Sequence, residues 1–108
     1  MSVSLDILGA TNTLGELANT IQQTEDLGYS LLSVSVGVVG GAPASLVTFS
    51  QGETGSSPPL ISLEIISGGL SKDQQETKLN EGNKQVVCYG ALFVQGQAQN
   101  VVAYRVTS

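Results

Sequence analysis

The sequence has 108 residues, the size of one domain, and a formal net charge of −5. Charged residues make up 12% of it, about half of the ~25% usual in globular proteins, so copies of the chain repel one another only weakly. All four cations lie in residues 55–108, and residues 1–54 contain none. Because no basic stripe is present to contact phosphates, the composition argues against nucleic-acid binding.

The composition also limits the chemistry of the chain. It contains no histidine, which removes the commonest general base and most transition-metal sites. Cys88 is the only cysteine and lies in the apolar run 86–89, where a small buried hydrophobic residue is favoured over a reactive thiol. We therefore expect no metal, no cofactor and no intrachain disulfide, and a role that is not enzymatic.

The apolar segments are short. No stretch approaches the ~20 continuous apolar residues that span a bilayer. Residues 1–6 have neither the basic segment nor the long apolar core of a signal peptide. With a single unpaired cysteine, these features predict a soluble, cytoplasmic protein without a membrane partner.

The first half begins with a strand and a helix. Apolar residues at every second position predict a short strand over residues 3–7. Thr13 and Glu16 have the spacing of a capping box, and Gly28 supplies a left-handed stop, so a helix is predicted over 14–27. An apolar stripe runs along one face of this helix. It consists of Leu14, Leu17, Ala18 and Ile21.

The last turn of this helix carries Glu25 and Asp26, where the helix dipole disfavours negative charge. A neighbouring cation, a partner or simple solvation would each account for these carboxylates. Solvation is the preferred interpretation.

The helix is followed by a predicted β-hairpin and a polar segment. Alternating apolar residues predict a strand over 32–39, a glycine- and proline-containing turn follows at 40–43, and a second strand is predicted over 45–50. Residues 52–59 consist of turn formers without a large apolar side chain, and they predict a linker.

The second half repeats this order. Residues 62–65 echo residues 4–7 at a spacing of 58, and a second capping box begins at Ser71, at the same spacing from Thr13. A glycine and two further strands follow. The repetition predicts an internal duplication. It divides the domain 1–108 into a βαββ unit at 3–51, a linker at 52–59 and a second βαββ unit at 60–108.

The predicted fold is therefore α+β, with two βαββ units forming a mainly antiparallel sheet of about six strands and helices on one face. Segment 71–82 lacks an apolar stripe, so helix and ordered loop both remain open for it. The joint Gly28–Tyr29, followed by the apolar 31–34, resembles a family of small βαββ domains of unknown function over residues 3–50. The resemblance implies a fold and no activity, and tyrosine stands where that family has tryptophan.

The strand predicted over 86–94 is apolar on both faces, and such a strand is covered on both. Since only one helix has an apolar stripe, a second copy of the chain is expected to provide the missing cover. Simple alternation places the candidate interface residues on one face of this strand. They are Val86, Cys88, Leu92 and Val94.

A ligand site is the competing prediction. Asp6 and Glu64 occupy matching positions in the two proposed units and would share a proton if they faced each other. Exposed strand residues that discourage edge pairing are the favoured interpretation of both. Four further residues would line a small-molecule pocket, although core packing explains the tyrosines equally well. They are Tyr29, Tyr89, Tyr104 and Arg105.

These observations predict a non-enzymatic, self-assembling or protein-binding domain, hence a homo-oligomer or the partner of another protein. One alternative is a small-molecule binding domain or minor enzyme with a pocket between the two units. A second is an acidic inhibitor that docks on a basic protein surface. The second alternative requires one exposed acidic face, formed by Glu16, Glu25 and Asp26.

Overall fold

The structure, a computed structural model, describes residues 3–51 and 60–106, which form two α-helices and six β-strands. The linker predicted at 52–59 lies outside the described residues. None of the described helices is long and apolar enough to cross a membrane. In chain order the elements are β1 (Val3–Leu8), α1 (Leu14–Asp26), β2 (Tyr29–Val39), β3 (Ala42–Gln51), β4 (Ile61–Ile66), α2 (Lys72–Leu79), β5 (Lys84–Val94) and β6 (Gln97–Val106).

The six strands form two antiparallel sheets of three strands each. The first sheet has the order β1-β3-β2, and the second sheet has the order β4-β6-β5. The α+β class, the two helices and the antiparallel strands are confirmed, but the single sheet of about six strands is not what forms. The reason is that β2 and β5 contact each other without forming a ladder of strand hydrogen bonds.

Both helices begin at the predicted capping boxes. In α1 the Glu16 backbone N–H donates to the Thr13 hydroxyl at 3.2 Å, and the Thr13 N–H donates to the Glu16 carboxylate at 2.9 Å. The same reciprocal pair joins Ser71 and Gln74 at the start of α2. Segment 71–82 therefore contains a helix, although α2 buries none of its side chains.

The two hairpins turn through a pair of residues with positive φ. In the first hairpin these are Gly40 and Gly41, with φ of 60° and 84°; in the second they are Gln95 and Gly96, with φ of 51° and 87°. Two successive positive φ values match the right-handed twist of the flanking strands. The second turn also donates two backbone hydrogen bonds, of 2.9 and 2.7 Å, to the loop before α1.

A β-bulge in β5 changes which side chains share a face. Val86 lies opposite Tyr104, whereas Cys88 lies opposite Ala103, and adjacent residues of β6 point to opposite faces. Val86 is therefore on the other face from Cys88. The prediction that these two residues share a face is wrong, because the bulge inserts one extra residue into the alternation.

A matching bulge in β2 lies between Leu31 and Ser33. Leu31 is buried, while Leu32, which the alternation places with the apolar side of the strand, is exposed. As in β5, the extra residue shifts the alternation by one position.

The hydrophobic core lies where α1, the first sheet and one face of the second sheet meet. From the first half it contains Leu17, Ile21, Leu31, Val34, Val47 and Phe49. From the second half it contains Ile61, Leu92, Val94, Val101 and Ala103.

The helices do not share one sheet face. Tyr89 donates to Gln75 of α2 at 2.7 Å, and Tyr89 lies on the face of the second sheet opposite to Cys88. Helix α1 contacts the face that carries Ile61. The second sheet therefore separates α1 from α2.

The two sheets approach each other closely at Gly90. A Cβ atom at this position would lie 2.4 Å from the carbonyl oxygen of Val34. A backbone oxygen cannot move aside as a side chain can. The crossing of β2 and β5 therefore has room for the hydrogen atom of glycine at this position, but not for a Cβ atom.

We expect Gly90→Ala to lower the free energy of unfolding by about 1–3 kcal/mol, because the added methyl group forces β2 and β5 apart. Gly15→Ala is the matched control, since its Cβ would meet nothing closer than 4.0 Å. In α1 this control should be neutral or stabilising. Urea denaturation of both variants measures the difference, and equal stabilities would contradict the tight crossing.

Candidate functional site

A buried ion pair joins the end of α1 to β6. Arg105 Nη1 donates to Glu25 Oε1 at 3.0 Å, and Nη2 donates to Oε2 at 2.5 Å. Glu25 Oε2 also accepts the Leu31 N–H at 3.0 Å. Glu25 is 4% exposed, so the two-point contact with the guanidinium, together with the backbone donor, satisfies a carboxylate that water barely reaches.

The prediction that solvent surrounds the carboxylates in the last turn of α1 is therefore wrong for Glu25. The neighbouring cation is supplied by the chain itself, from 80 residues further along. Asp26 is exposed as expected, and accepts a hydrogen bond from Gln22.

A second charged cluster lies on the face of the second sheet toward α2. Lys84 Nζ lies 2.8 Å from Glu64 Oε1 and 5.0 Å from the centre of the Tyr104 ring. The hydrogen bond with Glu64 raises the pKa of Lys84 above 10.5, against the lowering effect of burial. The cluster holds a carboxylate, an ammonium group and an aromatic ring together at the strand surface.

The remaining candidate ligand residues have partners outside this cluster. Asp6 accepts a hydrogen bond from the Thr24 hydroxyl of α1 at 2.6 Å. Tyr29 is half-buried and packs against the core, and Tyr89 bonds to α2. The structure thus brings Glu64 and Tyr104 together through Lys84, and gives Asp6, Tyr89 and Arg105 other partners.

The predicted interface residues differ in exposure. Leu92 and Val94 are buried in the core of their own chain. Cys88 is half-buried and packs against that core, and burial raises the pKa of its thiol from 9.0 to about 11. Val86 is 39% exposed, which makes it the one member of this set that offers substantial surface to a partner.

A different apolar surface, which was not predicted from the sequence, is exposed on β1. Val3, Leu5 and Ile7 are 64%, 51% and 48% exposed, and form a row on the side of the first sheet that we call the outer face. The polar side of the strand points the other way, where Asp6 bonds to α1. Alternation defines two strand faces, but it does not say which face a helix covers.

A groove of about 370 Å³ runs between β1 and α1. Residues 5–8 form one side of it, and Thr20, Gln23, Thr24 and Leu27 form the other. Strand β1 is also an edge strand of the first sheet. The groove and the strand edge together make the β1 region accessible to an extended partner segment.

Comparison of the chain with protein-family models, with curated proteins and with solved structures found no match. Within residues 3–51 and 60–106, no group of three or more histidine, cysteine, aspartate or glutamate side chains is placed to hold a metal ion.

We expect Arg105→Met to lower the free energy of unfolding by about 3–5 kcal/mol, because it leaves the buried Glu25 carboxylate without its counter-charge. The double variant Glu25→Leu/Arg105→Met should recover much of this loss, since no buried charge remains. Lys72→Met, which removes an exposed pair with Glu76, should cost far less. Urea denaturation measures all three, and a double variant as unstable as the single one would contradict the explanation.

The Cys88 thiol predicts a pH dependence. Between pH 9 and about 11 the unfolded chain loses the thiol proton while the folded chain keeps it, so the free energy of unfolding should fall as pH rises. The free energy of unfolding of the Cys88→Ala variant should fall less over this pH range. The Lys84 contribution, present below pH 10.5 and lost above the raised pKa, is common to both proteins. Denaturation from pH 8 upward measures the slopes, and identical slopes would contradict the burial effect.

Proposed function

We propose that this chain is a non-enzymatic protein that self-associates through β1, the edge strand that carries an exposed apolar row on the outer face of the first sheet. The observation that carries the proposal is the row Val3, Leu5 and Ile7, which is about half exposed or more although it is aliphatic throughout. Covering the exposed part of each side chain would contribute about 1 kcal/mol. An apolar row of this kind on an edge strand favours contact with another protein surface.

The rest of the outer face suits such a contact. The strand register places small or uncharged residues beside the row, and no charged side chain lies among them. Burial of this face therefore requires no desolvation of charge, in keeping with the depletion of charged residues at the centre of interfaces. The neighbouring residues are Leu46, Thr48 and Ser50 on β3, and Ser30, Ser33, Ser35 and Gly37 on β2.

We also infer that the fold consists of two βαββ units related by internal duplication. In support of this, β4 pairs with β6 as β1 pairs with β3, and the hairpins match residue for residue at a spacing of 55. The match includes both bulges and both turns. On this correspondence, the outer row of β1 is equivalent to Ile61, Leu63 and Ile65 of β4. Ile61 lies in the core at 7% exposure, whereas Ile65 is 39% exposed, so the equivalent row of the second unit is covered at one end.

The alternatives receive less support from the structure. Among the proposed pocket residues, Asp6, Tyr89 and Arg105 bond to residues outside the proposed set, whereas Glu64 and Tyr104 both contact Lys84. The acidic inhibitor requires Glu25 on an exposed face, and Glu25 is buried against Arg105.

Sedimentation velocity from micromolar to submillimolar concentration tests the proposed self-association. We expect a mass above one chain, which returns to one chain in Leu5→Ser/Ile7→Ser because the apolar row is lost. Val38→Ser is the matched control: Val38 is 70% exposed, but it lies on the other side of the first sheet and on its other edge strand. A one-chain mass for the unaltered protein at every concentration would overturn the proposal.

A further inference from the structure

We infer that the partner is a second copy of this chain bound edge to edge, an inference that rests on the proposed self-association. The β1 strands of two copies pair antiparallel about a twofold axis at Leu5. The two first sheets then become one sheet of six strands. In this arrangement the apolar rows of both copies lie side by side on the outer face, where opposed side chains cover part of one another.

The free edge of β1 supports this pairing. All six residues of β1 pair with β3, and no other described strand pairs with the opposite edge. Proline, lysine and bulges commonly protect an edge strand from pairing, and β1 has none of them. Its one charged residue, Asp6, was expected to discourage edge pairing, but it is half-buried and bonds to the Thr24 hydroxyl of its own chain. On β4, in contrast, the Ile61 N–H already donates to Gln22 of α1 at 3.0 Å. The other two edge strands of the described sheets, β2 and β5, each contain a bulge, so the β1 edge is the least protected against pairing with a further strand.

The sequence of β1 also supports the pairing, because it complements itself about Leu5. Antiparallel pairing about this residue sets Leu5 opposite its own copy and Val3 opposite Ile7 of the partner subunit. These aliphatic pairs lie on the outer face, where directly opposed side chains are in contact. On the inner face Ser4 lies opposite Asp6 of the partner subunit, so a hydroxyl group faces a carboxylate.

Other positions of the axis are less favourable. An axis at Asp6 would set two carboxylates opposite each other, and like charges in that position are destabilising. An axis at Ser4 would leave Ile7 without an opposing residue among those that the structure describes. A shift by half a step would pair apolar residues with polar ones and turn the two rows to different faces.

The groove between β1 and α1 is suited to the same arrangement. It opens beside the free edge, and Thr20, Gln23 and Thr24 line its helix side. An added strand would direct its inner-face residues toward this polar lining. Hydroxyl and amide groups there are suitable donors to the incoming carboxylate. The groove thus matches the polar side of β1, while the outer face matches its apolar side.

The variant Leu5→Cys tests the axis directly. Directly opposed Cα atoms in an antiparallel pair lie about 4.5–5.5 Å apart, within the ~4.4–6.8 Å that a disulfide bond spans. Under mild oxidation we expect a disulfide-linked dimer to form ~10-fold faster or more than in Val38→Cys, since pairing raises the effective concentration of the two thiols. Both variants retain Cys88, so its contribution is the same in each.

A second pair of variants tests the register. Ser4→Asp sets carboxylates opposite each other at two positions and should weaken association about tenfold or more. Ser4→Asp/Asp6→Ser restores the hydroxyl-carboxylate pairs and should recover it. A purely structural role of Asp6, through its bond to Thr24, predicts the opposite order, with the double variant no better than the single one.

The outcomes separate the two proposals. A mass that stops at two chains, with faster linkage through Leu5→Cys, supports the twofold pairing because this contact uses the one edge of each copy. A mass that grows beyond two chains, or equal linkage rates at the two positions, overturns the pairing and leaves self-association standing. A one-chain mass throughout overturns both.

Discussion

The contact between Glu25 and Arg105 is the constraint on which the arrangement of this molecule depends. A carboxylate that is 4% exposed requires a counter-charge, and the guanidinium that provides it comes from the last described strand. The contact draws β6 against the end of α1, and the Leu31 N–H completes the site. Two further bonds, from Ile61 to Gln22 and from Phe93 to Ser45, join the second half of the chain to the first.

This arrangement determines which surfaces are left open. Helix α1 and the second sheet together cover the inner face of the first sheet, and they bury Val47 and Phe49 completely. Nothing in the described chain covers the outer face, so the aliphatic row of β1 is exposed. The second sheet differs, because its core face packs on α1 and its other face lies toward α2. Helix α1 packs against both sheets. The outer face of the first sheet is therefore left without cover and is accessible to a partner.

The candidate surface changed position between sequence and structure for a specific reason. Strand β5 was the predicted interface because apolar residues occupy both of its faces. It is indeed more apolar than β1. In the structure, one face of β5 supplies Leu92 and Val94 to the core, and Gly90 lies directly against β2. On β1 the outward side is the apolar one. The number of apolar residues favoured β5 as the exposed surface. Exposure depends instead on whether another part of the chain packs against a given strand face.

The local features of the structure could be predicted from the sequence by itself. The capping boxes at Thr13 and Ser71, the glycine-containing turns and the number of strands follow from bonds and dihedral preferences within a few residues. The division into two sheets, the bulges, the covered face of β1 and the partner of Glu25 required the tertiary structure. These features depend on residues far apart in the chain, and a period of two residues describes a strand without saying what lies against it.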